Sequence, residues 1–357
     1  MEGGIKRRVT KVIDVGGVPV GGRNPITIQS MTKTDTRDVR NTVNQIRKLT
    51  RAGCEIIRVA VPDDESCRAL PRIIKSIHIP LIADIHFNSK LAVGSIEGGA
   101  GGVRINPGNI GGKKEIREIV KAAAERKAVI RIGVNSGSLP KKWIRRYKGV
   151  TPAGLVGSAL EWVKMFEDAG FRRLKISIKS PDIRHTIKAY RAIAERTKYP
   201  LHIGLTEAGP MMESAVRSSI ALGTLLMEGI GDTIRISVTG DPVSEVLIAR
   251  EILQTLGLRS FGPTIISCPT CARCCVDLVK IVAEFRKKAK GMSGKGKAPG
   301  KKVAIMGCVV NGPGEARDAD IGIACGVKDG VLFKKGKLMG RVPEKEIVDT
   351  LIKEMER

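Results

Sequence analysis

Short runs of β-branched and apolar residues recur along the chain, each ending in polar positions: ITIQSMT (26–32), IIRVAVP (56–62), PLIADIHF (80–87), GVRINPG (102–108), VIRIGVNSG (129–137), LKISIKS (174–180), LHIGLTEAG (201–209) and TIRISVTG (233–240). Between them lie segments whose apolar residues repeat at helical spacing against charged faces, as in DVRNTVNQIRKLTRAG and PDIRHTIKAYRAIAERTK. Eight strand–helix units in about 250 residues match the size of a (β/α)8 TIM barrel. Eight repeats favour closure over a doubly wound open sheet. Ahead of the first unit, VTKVIDVGGVPVGG (9–22) alternates and turns at Gly-Gly. It predicts a hairpin placed to plug the N-terminal end of the barrel.

Past residue 257 the pattern changes. The stretch SCPTCARCCVDLVKIVAEF leads into RKKAKGMSGKGKAPGKK (286–302), which holds eight basic residues and no acidic one. That tract predicts a solvated, mobile loop. A β-like run, KVAIMG, then ADIGIACG, GVLFKKGKLMGRVP and a terminal helical pattern predict a small α+β domain over 258–357, after a barrel domain over 1–257.

Composition narrows the classes. No apolar run reaches the ~18 residues needed to cross a bilayer, and no apolar signal segment follows the basic N-terminus. A soluble, cytoplasmic protein without a membrane partner is expected. The net charge of +26, from 62 basic and 36 acidic residues, suits polyanionic partners. Eleven aromatic residues are too few for a base-stacking platform, so nucleic acid is not the expected partner.

In a (β/α)8 barrel, chemistry sits at the C-terminal ends of the strands. Those ends carry Arg58, Asp84 with His86, Arg104 with Asn106, Arg131 with Asn135, Lys179, Thr206 with Glu207, and Thr239. Three arginines and a lysine around one mouth repel each other unless an anion compensates them, and arginine matches phosphate oxygens through its two-pronged fork. Asp84 and Glu207 are too few carboxylates to pair with every cation, so a multiply charged phosphorylated substrate is expected. Glu207, in GLTEAG, is a candidate general acid if held partly desolvated. Asp84 and His86, two apart on one strand, lie on the same face and can touch.

The chain has eight cysteines, 54, 67, 268, 271, 274, 275, 308 and 325. Cys54 and Cys67 read as small buried hydrophobes. Cys268 and Cys271 form a C-x-x-C bite suited to zinc or to an iron–sulfur cluster, and Cys308 follows 37 residues later. A zinc ribbon would need a second C-x-x-C or a histidine pair, and no histidine follows His202. Four thiolates completed by Cys274 or Cys275 would leave Cys308 spare. Three thiolates plus Glu315, aimed by the Asn-Gly-Pro-Gly turn at 311–314, account better for that carboxylate and for Cys308. An iron held by such an exchangeable oxygen donor can accept a substrate oxygen.

SCPTCAR and MGCVVNGPGEARDADIGIA closely resemble the C-terminal domain of the 4-hydroxy-3-methylbut-2-en-1-yl diphosphate synthase family. QSMTKTDTRDV, RVAVPD, IADIHF, VRINPGNIG, RIGVNSGSL, SIKSPD and LTEAG resemble its barrel motifs in the same order. The resemblance implies a [4Fe–4S] cluster on Cys268, Cys271, Cys308 and Glu315. It implies that Arg58, Arg104, Arg131 and Lys179, with Asp84, His86, Asn106, Asn135, Ser138 and Thr206 nearby, hold a cyclic diphosphate, and that Glu207 gives the proton. The implied reaction is a two-electron reductive ring opening with loss of water, fed by ferredoxin or flavodoxin. The implied assembly is a homodimer whose active site is shared between subunits. Cys274, Cys275, Cys325 and the basic tract depart from the family pattern. Two other readings explain less. A pterin-binding barrel leaves the cysteines and Glu315 without a role, and a zinc-containing RNA-binding protein leaves the eight units with polar strand ends unexplained.

Overall fold

The computed structural model describes residues 4–106, 110–290, 300–310 and 312–357. It consists of two compact units that divide at Ile252/Leu253. In the first, β1 (Ile13–Val15) and β2 (Val18–Val20) form the antiparallel hairpin. Its loop residues Gly16 and Gly17 have φ of 56° and 93°. Two positive φ angles are what a two-residue primed turn needs, and glycine adopts them without strain.

Among the described residues, eight parallel strands follow: β3 (Thr27–Met31), β4 (Ile56–Ala60), β5 (Leu81–Ile85), β6 (Gly102–Ile105), β7 (Val129–Asn135), β8 (Leu174–Lys179), β9 (His202–Ile203) and β10 (Thr233–Ile234). They are ordered β8-β7-β6-β5-β4-β3-β10-β9, and a bridge between Ile176 and Leu201 joins the two ends of that order. The barrel is nearly closed. Its helices are α1 (Val39–Ala52), α2 (Asp64–Lys75), α3 (Ser89–Glu97), α4 (Lys113–Glu125), α5 (Lys141–Tyr147), α6 (Pro152–Asp168), α7 (Ile183–Arg196), α8 (Met211–Met227) and α9 (Pro242–Thr255). Side-chain caps start several of them: Asp38 accepts from Asn41 N–H, Asp63 from Ser66 N–H and Asp182 from His185 N–H.

The hairpin residues Ile13, Val15 and Val20 pack with Ile56, Ile82 and Val129, which lie at the N-terminal ends of their strands. That contact identifies the inward face. By the period-2 alternation of a strand, Arg58, Asp84, Arg104, Arg131, Lys175 and Lys179 share that face, while Ile57, Ala83, Val103, Ile130 and Ile176 face the helices.

The second unit contains β11 (Thr264–Ser267), α10 (Leu278–Lys290), β12 (Lys302–Met306), α11 (Gly312–Arg317), β13 (Ile321–Cys325), β14 (Asp329–Lys334), β15 (Lys337–Pro343) and α12 (Ile347–Glu356). Its sheet runs β11 to β15 in order, with β11, β12 and β13 parallel and the remainder antiparallel. Leu278 and Phe285 of α10 and Leu351 and Met355 of α12 are buried with Val303, Ile305, Ile321 and Ile323 in one core. Ala316 of α11 is buried with Ala304, Met306 and Ala324 in another.

Two local expectations change here. The basic tract is not all loop, because α10 continues to Lys290 on the strength of its buried stripe Leu278, Ile281, Phe285 and Ala289. Residues 291–299 lie outside those described. The predicted turn around Pro313 is instead the start of α11, where proline fits the first helical turn because no donor is needed there; Asn311 lies outside the described residues. No helix among the described residues is long and apolar enough to cross a membrane.

Candidate active site

The polar ends of β4, β5 and β6 meet around one carboxylate. Asp84, 6% exposed, lies 3.3 Å from Arg104 Nη1, 3.7 Å from Arg58 Nε and 3.6 Å from His86 Nε2. His86 also sits 2.9 Å from Arg104 Nη1, so the expected contact of Asp84 with His86 is part of a four-residue cluster. Burial by itself would raise the Asp84 carboxyl, but Arg58, the His86 hydrogen bond and Arg104 outweigh it and hold the group well below the usual carboxylate range.

Glycines on neighbouring strands make room for two of the cations. A Cβ on Gly133 would fall 2.4 Å from Arg104 Nε, and one on Gly204 would fall 2.7 Å from Lys179 Nζ. Arg104 Nη2 donates to Gly133 O at 3.3 Å. Asn135, with its amide oxygen turned toward the guanidinium, accepts from Arg104 Nη2 at 3.2 Å. Ser138 Oγ donates to Asn135 O at 3.4 Å, and Asn106, just past the end of β6, is buried.

Arg131 lies deeper than its partners. It is 2% exposed, and its Nη1 donates to Gln29 Oε1 at 3.4 Å from the other side of the barrel. Burial, followed by Arg58 and Arg104, lowers its pKa well below the arginine value. Lys179 is depressed by burial and then by Arg235, Arg131, Arg58 and Arg104. These cations feel one another, and an anion in the mouth would relieve them all.

Three parts of this site escape a reading of strand ends. Arg235, on the segment after β10, donates to Ser237 Oγ and to Glu245 Oε1, each at 3.3 Å. Glu245 comes from α9, is 1% exposed, and also accepts from Ser30 Oγ at 2.9 Å. It is a carboxylate additional to Asp84 and Glu207. Below the mouth, Gln29, Arg131, Lys175, His202 and Thr233 are all buried inside the barrel, where branched apolar residues usually fill the space. Burial lowers Lys175 to about 7. The signal was present in LKISIKS, where Lys175, Ser177 and Lys179 alternate with Leu174, Ile176 and Ile178. A groove of about 930 Å³, lined by Trp143, Arg146, Glu161 and other residues of α5, α6 and α7, shares none of these residues.

Thr206 is half-buried, but Glu207 is exposed, at a φ of +54° in the turn after β9. The expectation of a partly desolvated Glu207 is therefore not met in this structure, because the turn lifts the residue clear of the buried strand end.

In the second unit, Cys268 follows β11 and Cys308 follows β12, adjacent parallel strands with Ser267 opposite Ile305. Gly307 N–H donates to Cys268 Sγ at 3.3 Å, and Cys275 N–H donates to Gly307 O at 2.8 Å. A Cβ on Gly307 would fall 2.4 Å from Cys274 Sγ. The C-x-x-C loop is thus stitched to the residue before Cys308. Cys271 and Glu315 are exposed, and Cys268 and Cys308 are half-buried. Among the described residues, no three histidine, cysteine or acidic side chains are gathered into a metal site. The donor types, soft thiols with one hard carboxylate on neighbouring segments, suit an iron–sulfur cluster. Cys274 packs with the core and donates to Val276 O at 3.2 Å, and Cys325 is buried at the end of β13. Of the remaining cysteines, Cys54 is buried as expected and Cys67 is only half-buried.

Fold and site together define a (β/α)8 barrel with a cation-rich mouth, followed by a small cysteine-bearing mixed-sheet domain. The chain belongs to the GcpE family: the GcpE TIM-barrel domain matches residues 10–250 and the GcpE protein C-terminal domain matches residues 264–357. Three of its relatives carry the name 4-hydroxy-3-methylbut-2-en-1-yl diphosphate synthase (flavodoxin). The chain is 53% identical to that of Caldicellulosiruptor saccharolyticus, over 97% of this chain and 98% of that protein. It is 50% identical to that of Caldanaerobacter subterraneus subsp. tengcongensis, over 98% of each. It is 50% identical to that of Geobacter sulfurreducens, over 98% of this chain and 97% of that protein. Among solved structures, dihydropteroate synthase from Stenotrophomonas maltophilia aligns with a TM-score of 0.52 at 13% identity, over 70% of this chain and 98% of that one. That likeness shows the barrel fold alone.

Proposed function

We propose that this chain reduces 2-C-methyl-D-erythritol 2,4-cyclodiphosphate to 4-hydroxy-3-methylbut-2-en-1-yl diphosphate, with flavodoxin or ferredoxin as electron donor, and that it acts as a homodimer. The observation that carries the proposal is identity of about half over nearly the full length to proteins of that name. The excess of buried cations at the strand ends supports a doubly charged cyclic substrate.

In this reading Arg58, Arg104, Arg131, Lys179 and Arg235 bind the diphosphate. Asp84 fixes Arg58, Arg104 and His86 in place, and Asn106, Asn135, Ser138 and Thr206 line the mouth. Cys268, Cys271, Cys308 and Glu315 would hold a [4Fe–4S] cluster, which when bound supplies electrons one at a time and an exchangeable iron site. Two electrons open the carbon–oxygen bond to the ring diphosphate, and a hydroxyl leaves as water with a proton from Glu207. Glu207 is exposed at the turn after β9, so in this reading its acid role depends on being covered by the bound substrate.

The test is anaerobic purification with iron and sulfide analysis, followed by turnover of the cyclic diphosphate with reduced flavodoxin. The Glu207→Gln variant should bind substrate normally and lose about 10²–10⁴-fold in kcat. Zinc without sulfide, or a fully active Glu207→Gln enzyme, would overturn the corresponding part.

A further inference from the structure

Below the mouth, four side chains hold polar atoms with no hydrogen-bond partner among the described residues: Gln29 Nε2, Arg131 Nε, Lys175 Nζ and His202 Nε2. These residues are 1%, 2%, 1% and 0% exposed, so bulk water does not reach them. Buried polar atoms are normally paired, and several orphans in one interior call for a shared partner.

Strand register gathers them. Arg131 and Lys175 stand opposite one another on the adjacent strands β7 and β8, both on the inward face. Ile176 bridges Leu201, so Ser177 and His202, the next residues along, are level one step above Lys175. Arg131 Nη1 donates to Gln29 Oε1 at 3.4 Å, which draws β3 into the group. The charges sense one another too. After burial, Arg131 is the main influence lowering the pKa of Lys175, and Arg131, Lys179 and Lys175 lower that of His202. On β8, Lys175 lies four residues, or ~13 Å along the strand, below Lys179 of the mouth.

The chemistry of the group selects an anion. Gln29 Oε1 is taken by Arg131, which leaves the NH2 end of the amide as a free donor. His202 Nδ1 lies 2.8 Å from Thr233 Oγ1, and with that hydroxyl donating, Nε2 carries the proton. Arg131 Nε only donates, as does a protonated Lys175. A single water accepts two hydrogen bonds and needs acceptors for its own hydrogens, which these four atoms do not offer. A halide accepts from every side and donates nothing. No carboxylate fills this role. Asp232 is the acidic group that raises Lys175, but its oxygens accept from Thr10 Oγ1 and Leu201 N–H, each at 2.8 Å.

We propose that the barrel interior binds one small monovalent anion, of the halide class, among Arg131 Nε, Lys175 Nζ, Gln29 Nε2 and His202 Nε2, beneath and separate from the anion site of the mouth. The ion balances two adjacent buried cations and fixes Arg131 from below. In halide-free buffer the charge on Lys175 has no counter-ion and only destabilises.

The experiment compares the full chain in sodium bromide and in sodium gluconate at equal ionic strength, gluconate being too large for the barrel interior. Crystals in bromide should show an anomalous peak between Lys175 and Arg131. Below pH 7, where Lys175 is charged, thermal unfolding should come at least ~2 °C higher in bromide than in gluconate. The difference should persist when saturating inorganic pyrophosphate fills the mouth, and it should vanish in Lys175→Met. Water in place of a bromide peak overturns the proposal, whether or not the variant folds. A halide effect that pyrophosphate abolishes assigns the ion to the mouth and overturns it as well, as does an undiminished effect in Lys175→Met.

Discussion

The guanidinium of Arg104 rests against the bare backbone of Gly133, closely enough that a Cβ there would fall 2.4 Å from Nε. Register sets this up: Arg104 stands opposite Arg131 on β7, and Gly133 follows two residues later on the same inward face. Glycine here is a space requirement rather than a conformational one. Gly133→Ala should leave the fold intact, push Arg104 off Asp84 and weaken binding of inorganic pyrophosphate about 10-fold, a loss of roughly 1.4 kcal/mol. Titration calorimetry checks this, and unchanged affinity would separate Arg104 from the anion site.

Asp84 is the shared counter-charge of Arg58, Arg104 and His86. Asp84→Asn keeps the shape and removes the charge, leaving buried arginines uncompensated. A loss of about 3 kcal/mol is expected in denaturant unfolding at pH 7. Pyrophosphate should recover more stability in the variant than in the wild type, because the added anion replaces the missing charge.

Lys175 makes stability depend on pH in a known direction. Burial lowers its pKa from 10.5 to about 7. Between those values the unfolded chain holds a proton that the folded one lacks, so this residue's contribution to stability rises with pH across that window. Below pH 7 the penalty of a buried charge is complete. Lys175→Met should therefore stabilise the protein by a few kcal/mol, on the order of the shift, at pH 6. The gain should shrink toward pH 10. Thermal unfolding of both forms across that range measures the difference.

The cysteines should separate into two groups. Cys268→Ser and Cys308→Ser should each lose bound iron and sulfide after anaerobic reconstitution. Cys325→Ala should keep both, since this thiol is buried in the core of the domain, and Cys274→Ser should keep both because the proposed ligand set does not include it. Glu315→Ala should keep the iron but change the Mössbauer signature of one iron site. Iron retained in Cys308→Ser but lost in Cys274→Ser would reassign the ligands.

Much of this protein follows from alternation along single segments. The eight strands, the plugging hairpin and the cations on one face of each strand are local consequences of period-2 patterning, so the chain alone specifies them. LKISIKS, for example, carries its inward polar face and outward apolar face within seven letters. The bite of Cys268 and Cys271 is equally local. What the tertiary structure decided depends on residues far apart in sequence. Glu245 enters the cation cluster from α9 to meet Arg235 and Ser30, and its helix gives no hint of that role. Arg131 reaches across the barrel to Gln29, 102 residues away. Helix α11 replaced the expected turn because burial of Ala316 against Ala304 and Ala324 outweighed the local preference of its glycines and proline. Sequence pattern determines which face a side chain takes. Only ring closure and packing determine which side chains then share a charge.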